Sequence, residues 1–192
     1  REYSMEVAEV ASMFLEYASA GHLTPFYSNK ELTWALSDQM QSEISLLSWI
    51  AIIDKFQYEI YKKKMTKQKL RSTWASIIKE FRGKEVYWNE DKNIEQISYA
   101  RQHHLITSPL YYIEYAISLM TAVQLLELFE KNHKKALTMY NKGLALGNTV
   151  STKELFETGF NLPLKFGEKQ VRITADFFKK KLKTIERNIK HS

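Results

Sequence analysis

Residues 108–132 read SPLYYIEYAISLMTAVQLLELFEKN, a run without glycine and with one proline, at its second position. Its apolar residues recur at intervals of three and four, which is the spacing of a helix with one buried face. Ser108 suits the cap position before a helix, and Pro109 suits the first helical position. The run therefore predicts a long helix that begins at Pro109.

Three other runs share this character, since residues 30–64, 67–81 and 168–191 contain neither glycine nor proline and repeat apolar residues at helical spacing. The chain holds only six glycines and three prolines. Residues 85–88 could be extended, but polar neighbours favour a loop there. We therefore predict an all-α, multi-helix fold. A chain of 192 residues, 44% of them hydrophobic, is expected to form a single domain around one core.

Composition narrows the functional classes. The absence of cysteine excludes disulfides and thiolate catalysis and agrees with a reducing compartment, for which the cytoplasm is the default. The apolar residues 46–53 are far fewer than the roughly 20 needed to span a bilayer, so no membrane partner is expected. Residues 165–192 hold nine Lys or Arg against three acids, which equals the whole net charge of +6. Because no base-reading motif accompanies them, we predict a docked basic helix and no nucleic-acid partner.

One short segment gathers two histidines and three tyrosines: His103, His104, Tyr111, Tyr112 and Tyr115. Helical spacing would place Tyr111, Tyr112 and Tyr115 on one face, where the hydroxyls of Tyr112 and Tyr115 could point into a common space, with His104 just outside the first turn. Such a group could donate hydrogen bonds to a developing negative charge. The alternative is that the rings pack in a core while each hydroxyl finds a partner. Adjacent histidines do not face each other, so at most one is expected to reach the tyrosines.

A second segment, residues 1–16, is expected to form an amphipathic helix with an acidic stripe: Glu2, Glu6, Glu9 and Glu16. Exposed glutamates are common on helices, so the stripe by itself is compatible with a solvated face. The acidic stripe alone therefore does not indicate a function.

The sequence resembles the oligoendopeptidase F branch of the thimet oligopeptidase family of zinc metallopeptidases. The resemblance runs from about residue 1 to about residue 167. It lies in three separated motifs that stand in the family's order, residues 9–16, 54–57 and 102–115, and the later residues 136–140 and 143–147 also fit. The first of these reads Glu, two residues, Ser, three residues, Glu. In the family this pattern begins with the third zinc ligand, which here is Glu9.

The resemblance also implies roles for the histidine and tyrosine segment. His104, Tyr112 and Tyr115 correspond to the catalytic donors that stabilise the reacting carbonyl oxygen, and Tyr111 and His103 are expected to contact the substrate. Two positions depart from the family pattern. His103 stands where glycine is typical, so His104 inherits the functional role, and Leu110 stands where an aromatic residue is usual.

No His-Glu-x-x-His motif occurs, because none of the five histidines is followed by glutamate. In the family that motif supplies two zinc-binding imidazoles and the general base, and it would lie upstream of Arg1. The chain is therefore expected to be the C-terminal portion of a zincin-type oligopeptidase catalytic domain, inactive alone and partnered by the missing N-terminal part. Short peptides are the expected substrates. The alternatives are a non-catalytic helical peptide-binding module and a basic nucleic-acid adaptor.

Three functional regions follow from this interpretation. Residues 1–20 form the third-ligand helix, residues 101–132 form the substrate and oxyanion segment with its helix, and residues 165–192 form the basic C-terminal helix.

Overall fold

The computed structural model describes residues 5–81 and 92–191, and within these ranges every regular element is helical. This confirms the all-α prediction. None of the described helices combines the length and apolar character needed to cross a bilayer. A π-helical segment (Leu155–Phe160) follows the eighth helix. The helices are α1 (Met5–Ala18), α2 (Asn29–Lys62), α3 (Lys67–Phe81), α4 (Lys92–Ile97), α5 (His104–Thr107), α6 (Ile113–Lys131), α7 (His133–Leu146), α8 (Thr152–Glu154) and α9 (Glu168–His191).

Helices α2, α3 and α9 lie within two residues of the runs that predicted them. Thr66 caps the start of α3, since its hydroxyl oxygen accepts a hydrogen bond from the Lys69 backbone N–H at 3.2 Å. The loop predicted at residues 85–88 lies outside the described residues.

The predicted start of the long helix at Pro109 is wrong, because α6 begins at Ile113. Residues 108–111 instead form a tight turn, in which the Tyr111 backbone N–H donates to the Ser108 carbonyl at 3.2 Å. Leu110 in this turn has a φ of 64°, a left-handed conformation that L-residues adopt rarely. Serine and proline suit the first two positions of such a turn as well as they suit a helix start.

The chain divides into two compact units. Unit 1 comprises Arg1–Ile44 and Glu114–Ser192, and unit 2 comprises Ser45–Ile113. The boundary falls within α2, so that residues 29–44 of this helix belong to unit 1 and residues 45–62 to unit 2.

The core of unit 1 is built around α1, which buries one face of apolar side chains: Val7, Val10, Met13, Phe14 and Tyr17. The Phe14 ring contacts Phe129 of α6 edge-on at 5.8 Å and Tyr140 of α7 at 4.7 Å between ring centroids. The Tyr140 hydroxyl donates to the Ala11 carbonyl at 3.0 Å. These contacts fix α1 against α6 and α7 within unit 1.

Close packing in unit 1 also depends on Gly143 of α7. A Cβ atom at this position would lie 2.2 Å from Cε1 of Phe160, a buried ring in the π-helical segment. Only glycine therefore lets the Phe160 ring lie directly on the α7 backbone. Helix α9 packs on the same unit through Phe177, Phe178 and Ile185, and Lys181 pairs with Glu130 of α6.

Unit 2 has its own aromatic core between α2 and α3, centred on the fully buried Trp74. Its indole contacts Trp49 edge-on at 5.7 Å and Phe56 at 4.9 Å between ring centroids. The Trp74 Nε1–H donates to the Ser98 hydroxyl at 2.8 Å, which ties the segment after α4 to this core. Leu105 and Tyr112 pack against the same cluster, so the core also positions the segment that holds His104.

A buried acid in unit 1 leads to a pH-dependent prediction. Burial raises the pKa of Glu43, and the nearby Glu16 carboxylate raises it further. The Tyr17 hydroxyl partly offsets this rise, although no hydrogen bond of good geometry joins it to Glu43. Because the folded state binds the Glu43 proton more tightly than the unfolded state, stability is lost as pH rises through the raised pKa.

Replacing Glu43 with Gln should therefore stabilise the chain near neutral pH by at most about 1 kcal/mol, because solvent screens this partly exposed carboxylate. This gain corresponds to no more than about 2–4 °C in melting temperature. The gain should disappear below about pH 4, where a glutamate is protonated in both states. Thermal melts at both pH values test this. Equal melting temperatures of the variant and the wild type near neutral pH would contradict it.

Glu31→Gln is the matched control, because this acid is stabilised in its charged form. Its carboxylate accepts from the Ser28 hydroxyl at 2.7 Å and from the Ser28 backbone N–H at 2.9 Å, which caps the start of α2. These hydrogen bonds lower the pKa of Glu31. The same glutamate-to-glutamine change should here lower stability near neutral pH.

Candidate functional site

His104 of α5 is held in unit 2 by two consecutive hydrogen bonds. The Trp49 Nε1–H on α2 donates to Oε1 of Gln102 at 2.9 Å. Nε2 of the same Gln102 amide lies 2.9 Å from Nδ1 of His104. Trp49 packs against Trp74 in the core of unit 2, so the network links the half-buried imidazole to the rigid part of this unit.

Two tyrosine rings lie beside His104. The Tyr111 ring is nearly parallel to the imidazole, at 6.0 Å between centroids and an interplanar angle of 11°. The Tyr112 ring is inclined at 53° and lies nearer, at 4.9 Å. Both tyrosines are half-buried, and they precede α6. The structure thus brings together three of the predicted site residues, with the imidazole in contact with both rings.

His103 makes a different set of contacts from its neighbour. It is exposed, and its Nδ1 lies 3.1 Å from the Thr107 hydroxyl one turn later in α5. That hydroxyl also donates to the His103 carbonyl at 3.1 Å, so it is available to accept a hydrogen from Nδ1. The two imidazoles are nearly perpendicular, at 6.5 Å between centroids. Only His104 joins the network with Gln102 and Trp49.

The helical argument that placed Tyr111, Tyr112 and Tyr115 on one face is wrong, because the first two residues lie before α6. Tyr115 lies in the first turn of α6 and belongs to unit 1, where it is half-buried. The positions of the three tyrosines are therefore set by different local structures: a turn for Tyr111 and Tyr112, and a helix for Tyr115.

Glu9 lies on α1 in unit 1, outside the fully buried face of that helix, and is half-buried. Its Oε2 atom lies 3.3 Å from the Ser12 hydroxyl, which also donates to the Glu9 carbonyl at 3.1 Å. Glu16 on the same helix is exposed and accepts from Nε2 of Gln39 at 3.0 Å. The side chains of Glu2 and Glu6 lie outside the described residues.

The positions of the His, Asp and Glu side chains limit how this chain could bind a metal ion. Within residues 5–81 and 92–191, no three His, Cys, Asp or Glu side chains form a group that could hold a metal ion. A catalytic zinc ion takes three protein ligands and keeps an open position. The described part of the chain therefore does not supply three such ligands by itself, and Glu9 is the residue that the family pattern indicates as one of them.

Sequence reasoning missed two residues of this site, Trp49 and Gln102. Trp49 lies in the apolar run of residues 46–53, and its contact with Gln102 joins positions 53 residues apart. No spacing rule links such positions. The position of Gln102 was a weak indication in the sequence, because it lies two residues before His104. In an irregular segment, a side chain at that position can reach the imidazole.

Comparison with known proteins places this arrangement in a family. The sequence profile of Peptidase family M3 matches residues 1–163. No curated protein has a sequence that matches the chain. A protein assigned as an oligoendopeptidase F has the same fold, with a TM-score of 0.87 and 22% identity over 98% of this chain and 33% of that one.

A second solved structure, of PZ peptidase A with an inhibitor, aligns with a TM-score of 0.85 and 19% identity. The alignment covers 97% of this chain and 33% of that protein. The chain thus spans about a third of the length of both solved proteins. At these identities the two structures show the fold alone, whereas the family profile covers most of the sequence. The chain therefore belongs to peptidase family M3.

Proposed function

We propose that this chain forms part of the active site of a zinc-dependent oligoendopeptidase that hydrolyses internal bonds of short peptides. The main support is the arrangement around His104. A half-buried imidazole is held by the Trp49 and Gln102 side chains and lies against two tyrosine rings. The segment that contains it lies within the part of the chain that matches the family profile.

In this proposal each residue has a defined task. The Glu9 carboxylate would be one ligand of the zinc ion. When bound, that ion would supply a Lewis acid and a water molecule of lowered pKa. His104 and the Tyr115 hydroxyl would donate hydrogen bonds to the carbonyl oxygen of the bond to be cleaved, as that oxygen gains negative charge. The Tyr112 hydroxyl would be a further donor.

Tyr111 and His103 would contact the rest of the substrate. Aromatic rings pack well against extended peptides, because they offer a large apolar face and a polar edge at little cost in side-chain entropy. The exposed position of His103 suits a contact with the substrate, whereas the hydrogen bond from Gln102 favours His104 for the reacting carbonyl.

We also propose that the chain packs against a further part of the same peptidase. Three large aromatic side chains in unit 1 are exposed: Phe26 by 79%, Tyr27 by 43% and Trp34 by 62%. Large apolar side chains left exposed in one unit are favourable at a protein interface. We propose the cytoplasm as the location because the chain lacks cysteine. The absence of nucleic-acid and membrane partners stays a prediction.

The test compares the 192-residue chain alone with the same chain joined to the sequence encoded upstream of Arg1, called the joined protein below. Both are incubated with zinc and a series of quenched fluorescent peptides. We expect zinc-dependent hydrolysis by the joined protein and none by the chain alone, because the general base and two zinc ligands are missing from it.

Two other outcomes would overturn parts of this proposal. Zinc-dependent hydrolysis by the pure chain would show that its own histidines form a different site. Peptide binding without hydrolysis by the joined protein would instead support a non-catalytic peptide-binding module.

A further inference from the structure

The chemistry of three side chains fixes where the proton of His104 lies. An indole nitrogen can only donate a hydrogen bond, so the atom of Gln102 that faces Trp49 must be the amide oxygen. The amide nitrogen of Gln102 then faces His104, and its distance to Nδ1 is 2.9 Å. Since an amide NH₂ group can only donate, Nδ1 must accept and cannot bear a hydrogen in the neutral ring.

We propose that Trp49 and Gln102 are positioning residues that hold neutral His104 as the tautomer with its proton on Nε2. In this form the nitrogen remote from Gln102 is a hydrogen-bond donor. His104 would then act toward a substrate carbonyl as a donor and not as a base. This inference rests on the proposed function for its consequence, but the tautomer itself is a property of the free chain.

The network resists the alternative tautomer because every change breaks a hydrogen bond. A proton on Nδ1 would point at the NH₂ group of Gln102. Rotating that amide by half a turn would restore an acceptor for the imidazole, but it would bring NH₂ against the Trp49 N–H. Trp49 cannot easily move away, because its indole packs against the fully buried Trp74 ring in the core of unit 2.

The neighbouring His103 provides a contrast within the same short segment. Its Nδ1 faces the Thr107 hydroxyl, which donates its hydrogen to the His103 carbonyl. That arrangement favours a proton on Nδ1, which is the opposite tautomer. His103 can therefore be a reference for His104 in the same measurement.

The direct test is nitrogen NMR of the 192-residue chain labelled with ¹⁵N-histidine, at mildly alkaline pH where imidazole rings are neutral. Protonated and unprotonated ring nitrogens have widely separated shifts. The signals of His104 are assigned as those lost in His104→Gln. We expect its Nδ1 to have the shift of an unprotonated nitrogen and its Nε2 that of a protonated one. The reverse pattern, or averaged shifts, would overturn the proposal.

Substitution of Gln102 sharpens the test. In Gln102→Glu the carboxylate can accept from both Trp49 and His104, so the neutral imidazole should shift its proton to Nδ1. In Gln102→Met both hydrogen bonds are lost, and the shifts of His104 should average between the tautomers. The shifts of His103 should stay unchanged in both variants. Unchanged His104 shifts in Gln102→Glu would show that Gln102 does not set the tautomer.

Kinetics of the joined protein separate a positioning role from a merely structural one. In assays at the mildly alkaline pH of the NMR measurement, Gln102→Glu should lower kcat about 100-fold more than Gln102→Met does, with a smaller change in KM, because the neutral imidazole then presents an acceptor to the substrate. If Gln102 only supports the fold, Gln102→Met should be the worse variant and should also melt earlier. An inactive joined protein would contradict the proposed function, while the NMR result would still decide the tautomer.

Discussion

Tyr115→Phe should lower turnover of the joined protein by about 100-fold or more, with a smaller change in substrate affinity. The substitution keeps the ring and removes only the hydroxyl. If that hydroxyl stabilises the reacting carbonyl oxygen, its hydrogen bond strengthens as negative charge develops, so its loss affects kcat more than KM. Steady-state kinetics with a quenched peptide measure both values, and a thermal melt checks the fold.

Tyr140→Phe is the matched control for this experiment. Its ring is buried in the core of unit 1, and its hydroxyl donates to the Ala11 carbonyl at 3.0 Å. Removing this hydroxyl should cost about 1 kcal/mol of stability and leave turnover nearly unchanged. If Tyr115→Phe behaves like this control, losing stability while keeping its turnover, then Tyr115 has a packing role and the catalytic assignment is wrong.

The second large effect is expected for Glu9→Gln, which should sharply reduce the zinc content and the activity of the joined protein. Glutamine has nearly the helical propensity of glutamate, so α1 should be preserved. A neutral amide oxygen is a much weaker zinc ligand than a carboxylate. Metal analysis of the purified protein, together with a melting curve, measures the effect.

Glu16→Gln is the control for metal binding, because Glu16 lies two turns further along α1 and is exposed, with Gln39 as its partner. It should leave the zinc content unchanged. Should Glu9→Gln also retain full zinc and full activity, Glu9 would be part of the solvated acidic face and the ligand would have to be sought elsewhere.

The sequence predicts much of this fold because the long helices lack breaking residues. Periodicity alone places helices α2, α3 and α9, because the runs that form them contain neither glycine nor proline. The start of α6 could not be placed in this way. Ser108 and Pro109 are favourable both at a helix start and in a turn. The turn forms here because Leu110 adopts a positive φ, and the preferences of a leucine side chain do not predict that conformation.

The sequence predicts the histidines and tyrosines of the candidate site, but not Trp49 and Gln102 or the hydrogen bonds that join these two residues to His104. The segment with His103 and His104 is recognisable because histidines and tyrosines are concentrated there. Which imidazole joins a network depends on Trp49, 53 residues before Gln102, and that contact arises only when α2 packs in the core of unit 2. Tertiary packing, and not local pattern, thus distinguishes two adjacent residues of the same type.

The turn at residues 108–111 affects how this segment can tolerate changes in length. A residue inserted within α6 would rotate every later side chain by about 100° and would disrupt its buried face. A residue inserted between Thr107 and Tyr111 can be absorbed by the turn without altering the helix that begins at Ile113. Such an insertion would therefore change the distance between His104 and the two adjacent tyrosines while Tyr115 keeps its place on α6.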